Sequence, residues 1–282
     1  MKRWGVLPHR YSEGKDMKKV WLITAAVLMS GTLLAKSPKY DASRYKYVGV
    51  FDKVKASQRM EDAMGLEHFR KLIKQEWRSG NDIEELKYGN GHWVGIFGKA
   101  DKKNHQTYVV ASRWNAIDHI VEDYWKQGYF MTNIEHGLAE WVVVFEKNTG
   151  WENQAYERRA KRDEFIEAVN QRWKQGYDLI DFEYGEGHYT GIFVQKKVRV
   201  SQALAVRSTW YATAKMLSGY WKEGYRIANI EYTLGRWMVL FEKGKETTAQ
   251  GFETAHDIAA FKILFEKRQK EGYRLRDLSE GW

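Results

Sequence analysis

Residue types that can do chemistry recur in this chain once every 48 positions. One column reads Glu85, Asn133, Asp181, Asn229 and Asp277. A second reads His92, Glu140, His188 and Arg236, with Lys46 as its N-terminal counterpart, and a third reads Trp93, Trp141, Tyr189 and Trp237. Acids and amides sharing one strand position could gather around a cation or a basic ligand. Alternatively each bonds a neighbouring unit's backbone or a turn amide, which is the usual fate of a buried polar side chain. His92 and His188 are metal-ligand types, but no third ligand recurs with them, so solvated hairpin turns are the expected setting and no metal is expected. The aromatic column could present ring faces to a saccharide or pack in a core. Ligand contact is assigned to Trp93, Trp141, Tyr189, Trp237, His92 and His188, with no catalytic residue and no cofactor.

Standard catalytic patterns are absent. The chain has no G-x-S-x-G elbow, no H-E-x-x-H, no Walker loop and no cysteine. "GNGHWVG" at 89–95 has glycines in the wrong spacing for a dinucleotide fingerprint and sits in a hairpin rather than between a strand and a helix. A glycan hydrolase would need two carboxylates about 5 to 9.5 Å apart across a groove. Asp181 and Glu183 are candidates, yet the first is Asn133 and Asn229 in neighbouring repeats.

The elements that must position these residues follow from the repeat itself. Gly80, Gly128, Gly176, Gly224 and Gly272 stand 48 residues apart. Before each glycine, apolar residues fall on one helical face, as in Phe69, Leu72, Ile73 and Trp77. The glycine suits a helix C-terminus, and Arg78, Lys126, Lys174 and Lys222 suit the negative end of the dipole. The tryptophans of that face, Trp77, Trp125, Trp173 and Trp221, are expected in the core. After each glycine, runs such as Tyr177 to Tyr184, then a turn, then Trp93 to Phe97 or Trp237 to Phe241, read as a hairpin. The expected unit is helix, strand, strand, in an α+β repeat, with residues 99–106, 148–163 and 244–253 as surface loops. "YGNGHWVGIF" matches "YGEGHYTGIF", so odd units resemble one another more than even ones.

The fifth unit stops at Trp282 before a second strand can form, while "YKYVGVFDK" at 45–53 matches a second strand with nothing before it. Pairing the two would complete the last unit and close five units into a pseudo-fivefold, propeller-like ring, removing exposed edges. An open αββ solenoid capped by that strand has the same periodicity.

Residues 1–35 read differently. Met17-Lys18-Lys19 precedes an apolar stretch from Val20 to Ala35, which reads as a signal peptide with translation starting at Met17 and cleavage after Ala35. Residues 36–282 then form a single repeat domain, periplasmic or secreted, whose mature form spans no membrane. Residues 1–35 hold six Lys and Arg against two acids, which leaves 40 basic and 35 acidic residues in the remainder. That balance is no nucleic-acid signature.

The "W-x-x-G-Y-x-[IL]" and "W-x-V-V" pair, as in Trp221 to Ile227 and Trp237 to Val239, resembles repeats C-terminal to the kinase domain of plant casein-kinase-I-like proteins. The likeness covers the repeats alone, and unit one departs from it at Asn81, where tyrosine is expected. It implies an interaction module without assigned chemistry. The ring symmetry is also similar to the pentein fold, whose enzymes use a cysteine nucleophile that this chain lacks. The expected function is an exported, non-catalytic repeat module that binds a protein or an envelope polymer. A glycan-binding or glycan-active protein using the strand aromatics and acids is the alternative.

Overall fold

The computed structural model describes residues 45–101, 105–244 and 248–282; the signal peptide, the Met17 start and the Ala35 cleavage site lie outside the described residues. Strand β1 (Lys46–Asp52) precedes four complete units. These are β2 (Gln58–Ala63), α1 (Leu66–Arg78), β3 (Asn81–Gly89) and β4 (His92–Lys99); β5 (Gln106–Ala111), α2 (Trp114–Lys126), β6 (Tyr129–Gly137) and β7 (Glu140–Lys147); β8 (Asn153–Arg159), α3 (Arg162–Lys174), β9 (Asp178–Gly185) and β10 (His188–Gln195); and β11 (Ser201–Arg207), α4 (Trp210–Lys222), β12 (Arg226–Thr233) and β13 (Arg236–Lys243). The fifth consists of β14 (Gln250–Ala255), α5 (Ile258–Lys270) and β15 (Arg274–Gly281).

Each unit therefore carries three antiparallel strands and a helix, one strand more than the sequence pattern predicts. The additional strands, β2, β5, β8, β11 and β14, each form one edge of their sheet, as in the order β2-β4-β3, and of these β8 and the start of β14 fall in segments expected as surface loops. Half-exposed sequences such as "NQAYERR" and "QGFETA" lack the clean alternation of a strand with one buried face, and this masks them. β1 lies between β14 and β15, antiparallel to both, and is the central strand of the fifth sheet.

The helix ends obey the expected chemistry. Gly80, Gly128, Gly176, Gly224 and Gly272 all adopt φ between 77° and 92°, the left-handed region that an L-residue with a side chain enters at a cost. In each unit the middle strand is buried on both faces, by its own helix on one side and by the preceding unit on the other. Val142 and Val144 of β7 pack with Phe69, Ile73 and Trp93 of unit one. Val94 and Ile96 of β4 pack in the same way with Tyr47, Phe51 and Phe261 of the fifth unit.

Odd and even units differ for a steric reason. A Cβ on Gly95 would lie 2.9 Å from the Phe69 ring, and one on Gly191 would lie 2.9 Å from the Phe165 ring; Gly49 faces Phe261 in the same manner. The equivalent pairs in even units are Ile117 with Val143 and Thr213 with Val239. A large helix residue needs a glycine opposite, whereas a smaller one leaves room for valine.

Neighbouring units are joined by a glutamine clamp. Gln154 Nε2 donates to the Met131 carbonyl at 2.7 Å, and its Oε1 accepts from Met131 N at 2.8 Å and from the Trp125 indole at 2.8 Å. Gln106, Gln202 and Gln250 bind Ile83, Leu179 and Ile227 identically, with Trp77, Trp173 and Trp221 as indole donors. Gln58 makes the same bonds to Leu275, at 2.7 and 2.9 Å, with Gln269 in place of the tryptophan. Trp173 is buried, while Trp77, Trp125 and Trp221 are half-buried and cover these clamps.

Candidate functional site

Five strands, β3, β6, β9, β12 and β15, form the inner edge of their sheets, and each touches the next, with β15 also against β3. Each carries a β-bulge three to five residues after its glycine, at Ile83/Glu85, Met131/Asn133 and Ile227/Asn229, with the equivalent shift in β9 opposite Ile192/Phe193 and in β15 opposite Val50/Phe51. The extra residue re-aims the strand. Ile83 and Leu86 both enter the apolar core, as do Leu179 and Phe182. The residues at five and seven positions after the glycine are left to face the neighbouring inner strands.

There they build a polar cluster. The seventh position reads Lys87, Glu135, Glu183, Glu231 and Ser279, all below 8% exposure. Lys87 Nζ lies 3.1 Å from Glu135 Oε2, 3.1 Å from Glu183 Oε2 and 2.6 Å from Glu231 Oε1. The oxygens of the three glutamates lie within 4.8 Å of one another, a spacing that could hold a metal ion. That centre is taken by the Lys87 ammonium.

The fifth position forms a second layer. Asp181 accepts from Ile134 N at 2.7 Å, Phe182 N at 2.8 Å and Asn229 Nδ2 at 2.9 Å. Asp277 accepts from Ile230 N and, at 2.9 Å, from Leu278 N, while Asn133 Nδ2 reaches Glu85 Oε1 at 3.3 Å. The expected bond to a neighbouring unit's backbone is thus made by both aspartates. The asparagines instead donate to acids of their own layer.

Burial dominates the electrostatics. It pushes Asp181 and Asp277 up to about 7, against the pull of the backbone N–H groups and Lys87. Burial, and then neighbouring carboxylates, raise Glu85, Glu135 and Glu231 well above the ordinary carboxylate range. Burial raises Glu280, which sits beside Gly89, to about 8. For Lys87, burial favours the neutral amine, but Glu135, Glu183, Glu231 and Glu280 outweigh it and hold the pKa well above its usual value. The cluster can therefore store charge and protons, but its carboxylates are not open to a large substrate.

The assigned ligand residues lie elsewhere. Trp93, Trp141 and Trp237 are at 0% exposure and Tyr189 at 2%, each in an apolar cluster against its own helix. None offers a ring face to solvent, because the middle strand is covered on both sides. His92 Nδ1 lies 2.7 Å from Asp62 Oδ2, and Asp62 also meets Lys262 of α5. His188 Nδ1 donates to the Glu186 carbonyl in its own hairpin turn at 2.8 Å. Each imidazole is tied within its own surroundings. Of this column only Glu183 was singled out from the sequence; Lys87, Glu135 and Glu231 were not, although they stand only two residues beyond the Glu85 column and carry the same period.

Comparison with known proteins adds one finding. A domain of unknown function, DUF7477, is found at residues 56–183. The match spans the first two units and ends within β9 of the third. No curated protein and no solved structure matches the chain. Among the described residues, no helix is long and apolar enough to cross a membrane.

Proposed function

We propose that the chain is an exported, non-catalytic module that binds a protein or an envelope polymer through its outer surface, and that its five units close into a pseudo-fivefold ring. The observation that carries the non-catalytic reading is the state of the acids. Asp181 and Glu183, the pair a glycan hydrolase would use, are at 4% and 7% exposure, the first bonded to backbone N–H groups and the second to Lys87. A catalytic pair has to meet its substrate across a groove. The burial of the four strand aromatics likewise removes support from sugar stacking.

Ring closure is supported by the fifth glutamine clamp, Gln58 on Leu275, and by Lys87, which reaches glutamates on three other units at once. A side chain of β3 can touch β6, β9 and β12 together only if the inner strands converge. The signal peptide read at 1–35 supports export, and the resemblance to casein-kinase-associated repeats supports an interaction role.

The test is to tag the full chain at its C-terminus in its native host and recover it from the envelope fraction. A processed N-terminus at residue 36 with a stoichiometric protein or polymer in the eluate is the expected result. Retention of the unprocessed chain in the cytoplasm would overturn export. Turnover of an oligosaccharide by the purified protein would overturn the non-catalytic reading.

A further inference from the structure

Charge is sorted between the two ends of the units. The helix C-termini, the first residues of the inner strands and the segments that leave the middle strands share one end, since Asn81 pairs with Lys99 and Tyr129 with Lys147. Equivalent residues of different inner strands meet level with one another: Asn133 with Glu85, Asn229 with Asp181, and Lys87 with Glu135, Glu183 and Glu231. Asp277 reaches Ile230 N in the same way. The glycine ends of the units therefore lie on one face, and the hairpin turns and helix N-termini on the other.

On the glycine face, the helix ends 78–82, 126–130, 174–178, 222–226 and 270–274 hold seven basic and four acidic residues. The described residues of the connecting segments 52–58, 99–106, 147–153, 195–201 and 243–250 hold eight basic and three acidic. The hairpin face, formed by the turns 89–92, 137–140, 185–188 and 233–236, by 45–46 and 281–282, and by the helix starts 63–67, 111–115, 159–163, 207–211 and 255–259, holds seven basic and five acidic. One cation per helix end answers the macrodipole. The connecting segments are not helical, and the dipole does not account for their lysines.

These cations are available. Lys55, Lys99, Lys174, Lys197, Lys222 and Lys270 are exposed, and among the described residues no acid stands within ion-pair distance of them. Others are held in place by the tyrosine that follows each glycine: Lys53 Nζ lies 4.4 Å from the centre of the Tyr273 ring, Lys147 Nζ 4.6 Å from Tyr129 and Lys243 Nζ 5.5 Å from Tyr225. A lysine laid across a ring has less side-chain freedom to lose on binding.

We propose that the glycine face binds a linear anionic polymer, whose repeating carboxylate or phosphate groups meet cations set out once per unit. The inference rests on the polymer-binding reading above and names the chemistry of the polymer and the surface that takes it. Lysines suit this partner because they act as point charges and need no fixed fork geometry.

The purified full chain is titrated with polygalacturonate, which carries carboxylates, and with inorganic polyphosphate, by calorimetry at 50 and 200 mM salt. Binding of at least one of them, weakened at least about tenfold at the higher salt, is expected. Lys99→Glu with Lys197→Glu weakens it at least about tenfold, whereas Arg113→Glu with Arg236→Glu, the same change of net charge on the hairpin face, leaves it within about twofold. Should the lysine reversals disturb folding, Lys99→Gln with Lys197→Gln decides, with a loss of at least about threefold. Equal losses from the two pairs of reversals, tighter binding of duplex DNA than of either polymer, or binding of phosphatidylglycerol vesicles alone overturns the proposal. A stoichiometric protein recovered by the tagged chain, with neither polymer bound, overturns it too, but leaves the module reading standing.

Discussion

Gln58→Leu tests whether the junction between the first and fifth units is equivalent to the others. Gln58 is 7% exposed, and its amide accepts from Leu275 N at 2.7 Å and donates to the Leu275 carbonyl at 2.9 Å. Leucine keeps the volume but strands both backbone groups in a buried place. Each stranded group costs about 1–3 kcal/mol, and the apolar side chain returns part of this, so the loss is about 2–5 kcal/mol. For a domain of this size that is a fall in Tm of roughly 4–20 °C. Gln154→Leu, with bonds of 2.8 and 2.7 Å to Met131, is the internal reference and should cost the same. Equilibrium unfolding in urea, followed by tryptophan fluorescence and by far-UV circular dichroism, reads both. If Gln58→Leu costs less than about 0.5 kcal/mol while Gln154→Leu costs the full amount, the clamp on Leu275 is not a structural equivalent and the ring reasoning fails.

Three further outcomes follow from the same geometry. Lys87→Met leaves three buried glutamates without a counter-ion and should cost about 3–5 kcal/mol, recovered in part by adding Glu135→Gln and Glu231→Gln; an unchanged unfolding midpoint for the single variant contradicts the charge assignment. Glu280, facing Lys87, Glu183, Tyr45, Tyr47 and Tyr88, holds its proton up to about pH 8 in the folded chain. The stability this provides is complete below the unfolded pKa and is lost as pH rises through 8, so the protein should melt lower at pH 8.5 than at pH 5.5, and Glu280→Gln should flatten that slope. Trp237→Ala, at a fully buried site, should cost about 3–5 kcal/mol in unfolding curves; near-wild-type stability would restore the ligand-platform reading.

The helix, its glycine stop and the hairpin were legible because each rests on local rules: one apolar face, a left-handed residue, and two apolar runs about a turn. The pairing of β1 was legible because Tyr45 to Lys53 repeats a strand whose partners are missing. The edge strands β5, β8, β11 and β14 were not, since a half-exposed edge has no pattern of its own. Their signal was the identical Gln58, Gln106, Gln154, Gln202 and Gln250, which stand 48 residues apart. The burial of the strand aromatics was not legible, because alternation places a side chain on a face without saying what covers that face. Here the neighbouring unit covers it.

The centre was hidden for a different reason, which is also the clearest link between sequence and architecture here. At the clamp, the five copies never meet one another, so one residue serves every unit and glutamine appears five times. At the inner strands, side chains of different units approach within about hydrogen-bonding distance, as Lys87 does with Glu135, Glu183 and Glu231. Five lysines or five glutamates there would repel one another in a buried setting, whereas one lysine bonds three glutamates at once and the fifth place is left to an uncharged serine. Identity between repeats must therefore decay toward the place where the repeats converge. A column that keeps its period while losing its identity, Lys87, Glu135, Glu183, Glu231 and Ser279, is what such a place looks like in a sequence.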